Sequence, residues 1–274
     1  LIRTYSLDKI TRIGKEHKIC QDYSDTFQNN ANRISNLIIV SDGCSSSNDT
    51  DIGSRIVARL ARKIMTQFHF NFDNVKDSYI SFGDVLMNMA TPIVSALGLD
   101  RTSLDSTLII SFVYNNDIIT FMYGDGFIIT IDKENKAEFT EIQFKNNAPY
   151  YLSARVIYPS IYEKNVTEPN MIIKDSSDIN ESESKDSNFP LYFSHDIDVY
   201  KCIIIASDGL SSFRNYSSEN HPSTQEVITN LCGIKNYNGE FIQRRVGRML
   251  SDYAKNSIYH YDDLSVAGIS IYEE

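Results

Sequence analysis

Three apolar runs in this chain end at an aspartate followed by glycine: Asp42-Gly43 after residues 36–41, Asp125-Gly126 after 118–123, and Asp208-Gly209 after 202–207. Asp262-Asp263 stands at the start of a fourth run, 264–271, and Asp22 follows Gln21 near the N-terminus. A single Asp-Gly is a common turn and carries little information. Repeated at the ends of buried strands, such carboxylates converge at one edge of a sheet, where like charges raise one another's pKa and cost stability. A divalent cation removes that cost, and an all-oxygen donor set selects hard ions, Mg²⁺ or Mn²⁺, over zinc.

The elements that must position these groups are legible as changes of period. Residues 36–41 read as a buried strand ending in a tight turn. Ile52, Ile56, Val57, Leu60, Ile64 and Phe68 recur at helical spacing, with Arg55, Arg59, Arg62 and Lys63 mostly off that stripe, as the wet face of a helix. A second helix is expected over roughly 82–97. Residues 106–113 and 118–123 are strands joined by the hairpin turn Asn115-Asn116-Asp117, and Gly124-Asp125-Gly126 interrupts the second, which resumes over 127–131. A strand over 202–207, a helix marked by Phe241, Val246, Met249, Leu250 and Tyr253, and a closing strand over 264–271 follow. Hairpin-joined strands interrupted by helix pairs predict an α+β fold of antiparallel sheets with helices outside, without βαβ alternation or internal repeat. Residues 174–190 are rich in Asp, Ser, Glu and Asn and read as a solvated acidic insertion within one domain spanning 1–274.

The chain has 274 residues, enough to bury a sizeable core, and a net charge of −10. That sign repels phosphate backbones, so nucleic acid is not an expected partner, and phosphate chemistry here needs a positive centre. The four cysteines, Cys20, Cys44, Cys202 and Cys232, lack zinc-site spacing and suit free thiols in the cytoplasm. No apolar run approaches the about 18 residues that cross a bilayer, so no membrane span is expected. Without secretion, the glycosylation sequons at Asn165 and Asn180 carry no meaning. The start at Leu1 rather than methionine leaves room for an upstream residue or segment.

In order along the chain, Gln21-Asp22, Ser41-Asp42-Gly43, Asp105-Ser106-Thr107, Gly124-Asp125-Gly126, Ala206-Ser207-Asp208-Gly209-Leu210 and Asp262-Asp263-Leu264-Ser265 resemble the metal-dependent serine/threonine protein phosphatases of type 2C, in their compact bacterial form. The resemblance runs from about residue 14 to 271. It implies a four-layer αββα sandwich of two antiparallel sheets, with two Mn²⁺ or Mg²⁺ ions at one end. Carried over, Asp42 would bridge both ions and the Gly43 carbonyl would complete one site. Asp208 and Asp262 would hold the other ion, and Asp22 would bind directly or through water. A water between the ions would then attack phosphorus in line without a covalent intermediate. The expected substrate is a phosphoserine or phosphothreonine protein, the product of a cognate kinase, and the expected state is a monomer.

Several positions depart from the family pattern. Gln21 stands where many relatives have a metal-linked glutamate, and Cys44 where animal members often carry a histidine proposed as general acid. His17 falls where an arginine commonly grips the substrate phosphate; protonated, it could do so or serve as the acid. Asp125 is the candidate for a third ion, against which Ser212 counts, because it replaces a second carboxylate found in some relatives. Asp263 occupies a position where relatives often have Asn, which makes Asp262 the better ligand candidate. Asp105 reads equally as the cap of a strand start. Tyr150, Tyr151, Tyr158 and Tyr162 lie where the family has a variable flap beside the active site, and either substrate contact or plain packing would suit them. These departures keep open a pseudophosphatase acting as a regulatory binding module. The surviving aspartates favour the enzyme. A hydrolase of small phosphate esters is a third reading, and the lack of a Gly-rich phosphate loop counts against a nucleotide-dependent phosphotransferase.

Overall fold

The computed structural model describes residues 3–29, 34–68, 70, 72–145, 149–160, 171–176 and 191–273. Strand β3 (Asn36–Ser41) shows why its sequence lacks alternation: all six residues are buried. Ile38 and Val40 face one apolar layer while Leu37 and Ile39 face another, so both sides of the strand demand apolar groups. The same division holds in β10 (Tyr200–Ala206), where Ile203 and Ile205 point one way and Cys202 and Ile204 the other.

These strands lie in two antiparallel sheets. One has the order β1 (Arg3–Arg12), β13 (Leu264–Glu273), β10, β6 (Gly126–Asp132), β7 (Ala137–Phe144), β8 (Met171–Asp175). The other has the order β2 (Tyr23–Gln28), β3, β4 (Leu108–Tyr114), β5 (Asp117–Tyr123), β9 (Leu191–Asp196). Between them Ile38, Val40 and Ile109 meet Ile128, Ile203 and Ile269. Helices α1 (Thr50–Gln67) and α2 (Val75–Ala96) cover the outer face of the second sheet through Val57, Ile64, Phe82 and Leu86. A short α3 (Ala154–Ile157) follows, and α4 (Thr224–Cys232) and α5 (Phe241–Ala254) cover the first sheet through Val227, Leu231, Phe241 and Val246. The architecture is the αββα sandwich, with a two-stranded ribbon of β11 (Phe213–Asn215) and β12 (Ile258–His260) at its margin.

The chain departs from the sequence reading in instructive places. Gly124-Asp125-Gly126 does not interrupt one strand; it carries the chain from β5 in one sheet to β6 in the other. Gly124 and Gly126 sit at φ of +102° and +130°, and a Cβ on Gly126 would come within 2.6 Å of the Ala206 carbonyl, so only glycine suits the crossing. Helix α2 begins at Val75 rather than 82, where the Asn74 side chain accepts from the Asp77 N–H. In α1, Ile52 is exposed, as is Phe68, which caps the helix in extended backbone, and Gly53, Ser54, Ala58 and Ala61 share the buried face. Small residues are required there because a Cβ on Gly53 would overlap the Ser103 carbonyl. Arg62 is not on a purely wet face: it pairs at 2.9 Å with the buried Asp25, while Arg55 and Arg59 lie over the Tyr23 ring. Tyr162, both sequons and residues 177–190 of the acidic stretch lie outside the described residues.

Candidate active site

The ten-residue pairing of β1 with β13 runs from Arg3 opposite Glu273 to Arg12 opposite Leu264, and so delivers the loop after β1 beside Asp262-Asp263. Asp263 fastens that loop: its carboxylate accepts from the backbone N–H of Gly14 at 2.7 Å and of Gln21 at 2.6 Å. Asp22 is thereby set next to the end of β10, where the Ser207 hydroxyl donates to its Oδ2 at 2.7 Å. The same hydroxyl accepts from the Ser265 N–H, tying β10, β13 and Asp22 together. Asp42 leaves the end of β3, its N–H donating to Thr107 Oγ1 and its carbonyl accepting from Thr107 N–H. Gly43 lies so close to Gln21 and Thr50 that a Cβ would meet the Thr50 carbonyl at 2.7 Å. Asp208 opens a short 3₁₀ turn (Asp208–Ser211) whose Gly209 lies flat on the Asp263 carbonyl.

The fold therefore brings Asp22, Asp42, Asp125, Asp208 and Asp262 to one end of the sandwich. A cleft of about 240 Å³ there is lined by Asp42, Gly43, Thr107, Asp125, Asp208 and Asp262, with Cys44 and Tyr151 on its wall. The carboxyls of Asp22 and Asp208 both lie close enough to that of Asp42 for each to bear on the others' titration. Burial first, then the neighbouring carboxylates, push Asp42 well above the usual range. Burial raises Asp22 to about 7, against relief from its hydrogen bonds to Asp42 and Ser207. Asp125 is also lifted to about 7, by burial and then by Asp208, Asp262 and Glu141. Burial raises Asp208 as well, with the Asp262 charge adding to it. Asp22 Oδ1 and Asp208 Oδ1 are buried with no hydrogen-bond donor. Two orphaned anionic oxygens beside a third carboxylate are a site short of positive charge. Among the described residues no lysine or arginine lines the cleft. Among the described residues no three His, Cys, Asp or Glu side chains form a ready-made cage, yet the oxygen donors and the two orphan atoms fit divalent hard cations.

The remaining candidates sort by contact. His17 lies 3.3 Å from Asp262 Oδ1 and 3.2 Å from Asp263 Oδ2, a bridge between the exposed and the buried carboxylate. Gln21 turns its amide to Thr50 Oγ1 at 2.6 Å, with the Cys44 carbonyl at 3.5 Å. Burial works to raise the Cys44 thiol, but hydrogen bonds from Ser46, Tyr151 and Ser47 outweigh it and leave it below its usual value. Ser212 secures the Asp262 N–H at 3.1 Å. Asp105 binds Ser47 and Ser153 at 2.9 and 2.5 Å, and so joins the loop before α1 to the segment before α3. Of the tyrosines, Tyr150 is buried against Phe144, Tyr151 reaches the cleft and Tyr158 is exposed. Sequence reasoning assigned no role to Ser207 or Thr107, although each neighbours an aspartate in a quoted motif. It missed Glu141, buried on β7, whose charge reaches Asp125.

A family model described as protein phosphatase 2C matches residues 13–239. No curated protein matches this chain. Among solved structures, the S. agalactiae serine/threonine phosphatase is 16% identical, with a TM-score of 0.58 over 97% of this chain and 99% of its own. The serine/threonine phosphatase Stp1 of Staphylococcus aureus is 13% identical, with a TM-score of 0.57 over 98% and 96%. PppA, described as a key regulatory component of T6SS in Pseudomonas aeruginosa, is 12% identical, with a TM-score of 0.56 over 98% of each chain. At such identities the structural likeness speaks for the fold.

Proposed function

The chain belongs to the protein phosphatase 2C family, and from that premise we propose that it hydrolyses phosphoserine and phosphothreonine in proteins with the help of divalent ions held by its aspartates. The observation that carries the reading is the pair of buried, donorless oxygens, Asp22 Oδ1 and Asp208 Oδ1, on either side of Asp42. Asp42, the Gly43 carbonyl, Asp208, Asp262 and Asp22 would hold two Mn²⁺ or Mg²⁺ ions, and Asp125, on the cleft wall, is the candidate for a third, against which Ser212 counts. Bound there, such ions would supply Lewis acidity toward a water and toward the phosphoryl oxygens.

The chain's own residues do the rest. Ser207 fixes one oxygen of Asp22 and leaves the other for a cation. Asp263 holds the loop that carries Asp22 and His17. His17, against Asp262, would give a proton to the departing serine or threonine oxygen. The wider reading is one catalytic domain over 1–274, acting in the cytoplasm as a monomer on the products of a serine/threonine kinase. The four free thiols suit a reducing compartment. Gln21, whose neutral amide faces Thr50, favours one alternative, a catalytically weak regulatory member.

Purified protein with Mn²⁺, with Mg²⁺ and with chelator, assayed on an aryl phosphate and a phosphothreonine peptide beside Asp208→Asn, tests the reading. Metal-dependent turnover that falls at least about a hundredfold in the variant, about 2.7 kcal/mol of barrier, is expected. A folded protein without turnover in any metal would overturn catalysis in favour of the regulatory reading.

A further inference from the structure

A second feature lies at the other end of the sandwich. Helix α5 presents Arg244, Arg245 and Arg248 along one side, and Lys235 stands on the loop before it; together they border a cleft of about 330 Å³ with Ile234 and Phe241 in its floor. Every ionisable residue of that lining is a cation, on a chain whose net charge is −10. None of the four forms an ion pair among the described residues. Asp252 is a carboxylate that feels Arg245, but it is bound by Lys255 at 2.7 Å.

The guanidiniums are held in place by neutral groups. Arg244 Nη2 donates to the carbonyls of Asn236 and Asn238, Arg245 Nε donates to that of Asn230, and the Arg245 head packs on Gly233. Carbonyl partners orient an arginine without neutralising it, and the unused N–H groups remain for an anion. Arg244 and Arg248, at i and i+4, repel each other on the helix surface, so an anion between them relieves a standing cost.

We propose that this cleft is a docking site for an acidic segment of a partner protein, its carboxylates or phosphates on the four cations and one apolar side chain on Ile234. The small apolar floor and the discrete size fit a peptide better than a duplex or a bilayer, which the chain's overall charge opposes. The site is remote from the aspartates. Ser270 Oγ donates to the Tyr237 carbonyl, and Ser270 is six residues along β13 from Leu264, roughly 20 Å of strand. Where the partner is also the phosphatase substrate, which rests on the proposed function, its acidic segment must lie at least about six extended residues from the phosphorylated one. Tethering then raises the local concentration of the phosphoresidue at the metal end.

The test is fluorescence anisotropy with a labelled decapeptide of Glu and Asp carrying one Leu, in chelator, so that its outcome is independent of catalysis. Binding that weakens tenfold or more in Lys235→Glu/Arg248→Glu and again with added salt is the expected result. Arg248→Ala, which removes no carbonyl contact among the described residues, is expected to weaken binding by a smaller factor at an unchanged melting temperature. Binding equal in wild type and both folded variants would overturn the site. Competition by single-stranded RNA or phosphatidylserine vesicles more effective than by the unlabelled peptide would overturn the assignment to a protein segment.

Discussion

Asp262 and Asp263, adjacent in sequence, are given opposite work by their surroundings. Both oxygens of Asp263 are taken by backbone N–H groups of a loop 242 and 249 residues away, while the Asp262 side chain remains 41% exposed at the cleft. Paired acids in a sequence cannot announce this split, because it depends on where the loop after β1 comes to rest. Asp22 is the reverse case, a buried carboxylate left half satisfied. Its pKa in the folded chain is about 7 against 3.8 for an ordinary aspartate, so the folded state binds the proton more tightly than the unfolded one. The stability this proton contributes is fully present below pH about 4 and is lost as pH rises through 7. Asp42, Asp125 and Asp208 are shifted in the same direction. Burial lowers His195 and His260, which work in the opposite sense as pH falls. Thermal melts in chelator from pH 5 to 8 are therefore expected to show a fall in melting temperature that Asp22→Asn reduces. A slope that the substitution leaves unchanged would mean that Asp22 is not a source of the strain.

At the scale of elements, what the sequence disclosed was local. The buried runs of β3, β4, β5, β10 and β13 and the amphipathic stripe of α5 are visible because burial on two faces, or on one, leaves a composition or a period. Strand β1, Arg-Thr-Tyr-Ser-Leu-Asp-Lys-Ile-Thr-Arg, is mostly half-buried and polar, and its place is fixed by pairing with β13 more than 250 residues on. That partner has no trace in the local pattern. Helix α4 was missed although its capping box is explicit: Ser223 accepts from the Glu226 N–H and Glu226 from the Ser223 N–H. The crossing at Gly124-Asp125-Gly126 was legible as a break but not as a change of sheet. Asp125 depends on it for its position over the cleft. Gly126→Ala adds a left-handed strain of about 1–3 kcal/mol and a methyl group against the Ala206 carbonyl. A drop of about 2–5 °C in melting temperature is expected, with loss of activity beyond what stability explains because Asp125 and Asp208 share the disturbed seam. A variant that melts like wild type would show that the backbone there yields at no cost.

At the scale of the whole molecule, the sandwich sets two clusters of unlike charge apart. Carboxylates gather where β3, β10 and β13 present their ends, and the arginines of α5 gather near the far ends of β1 and β13. Burial and mutual repulsion make the first cluster costly, and among the described residues no lysine or arginine lines its cleft. The fold tolerates that cost through its core, three apolar layers in which the sheets and both helix pairs exclude water. Cations that bind the native cluster and not the unfolded chain draw the equilibrium toward the fold. At a hundred times its Kd one such ion contributes about 2.7 kcal/mol. With an unfolding entropy of about 2.1 cal/mol/K per residue, one ion raises the melting temperature of this chain by about 5 °C and two by about 10 °C. Saturating Mn²⁺ should produce a rise of that order in differential scanning calorimetry, larger at pH 8 than at pH 5, because the same carboxylates must shed their protons to bind it. Asp208→Asn should lose most of the rise while keeping the fold. If wild type and variant gain equally, the ion binds elsewhere on an acidic surface, and the orphaned oxygens of Asp22 and Asp208 need another explanation.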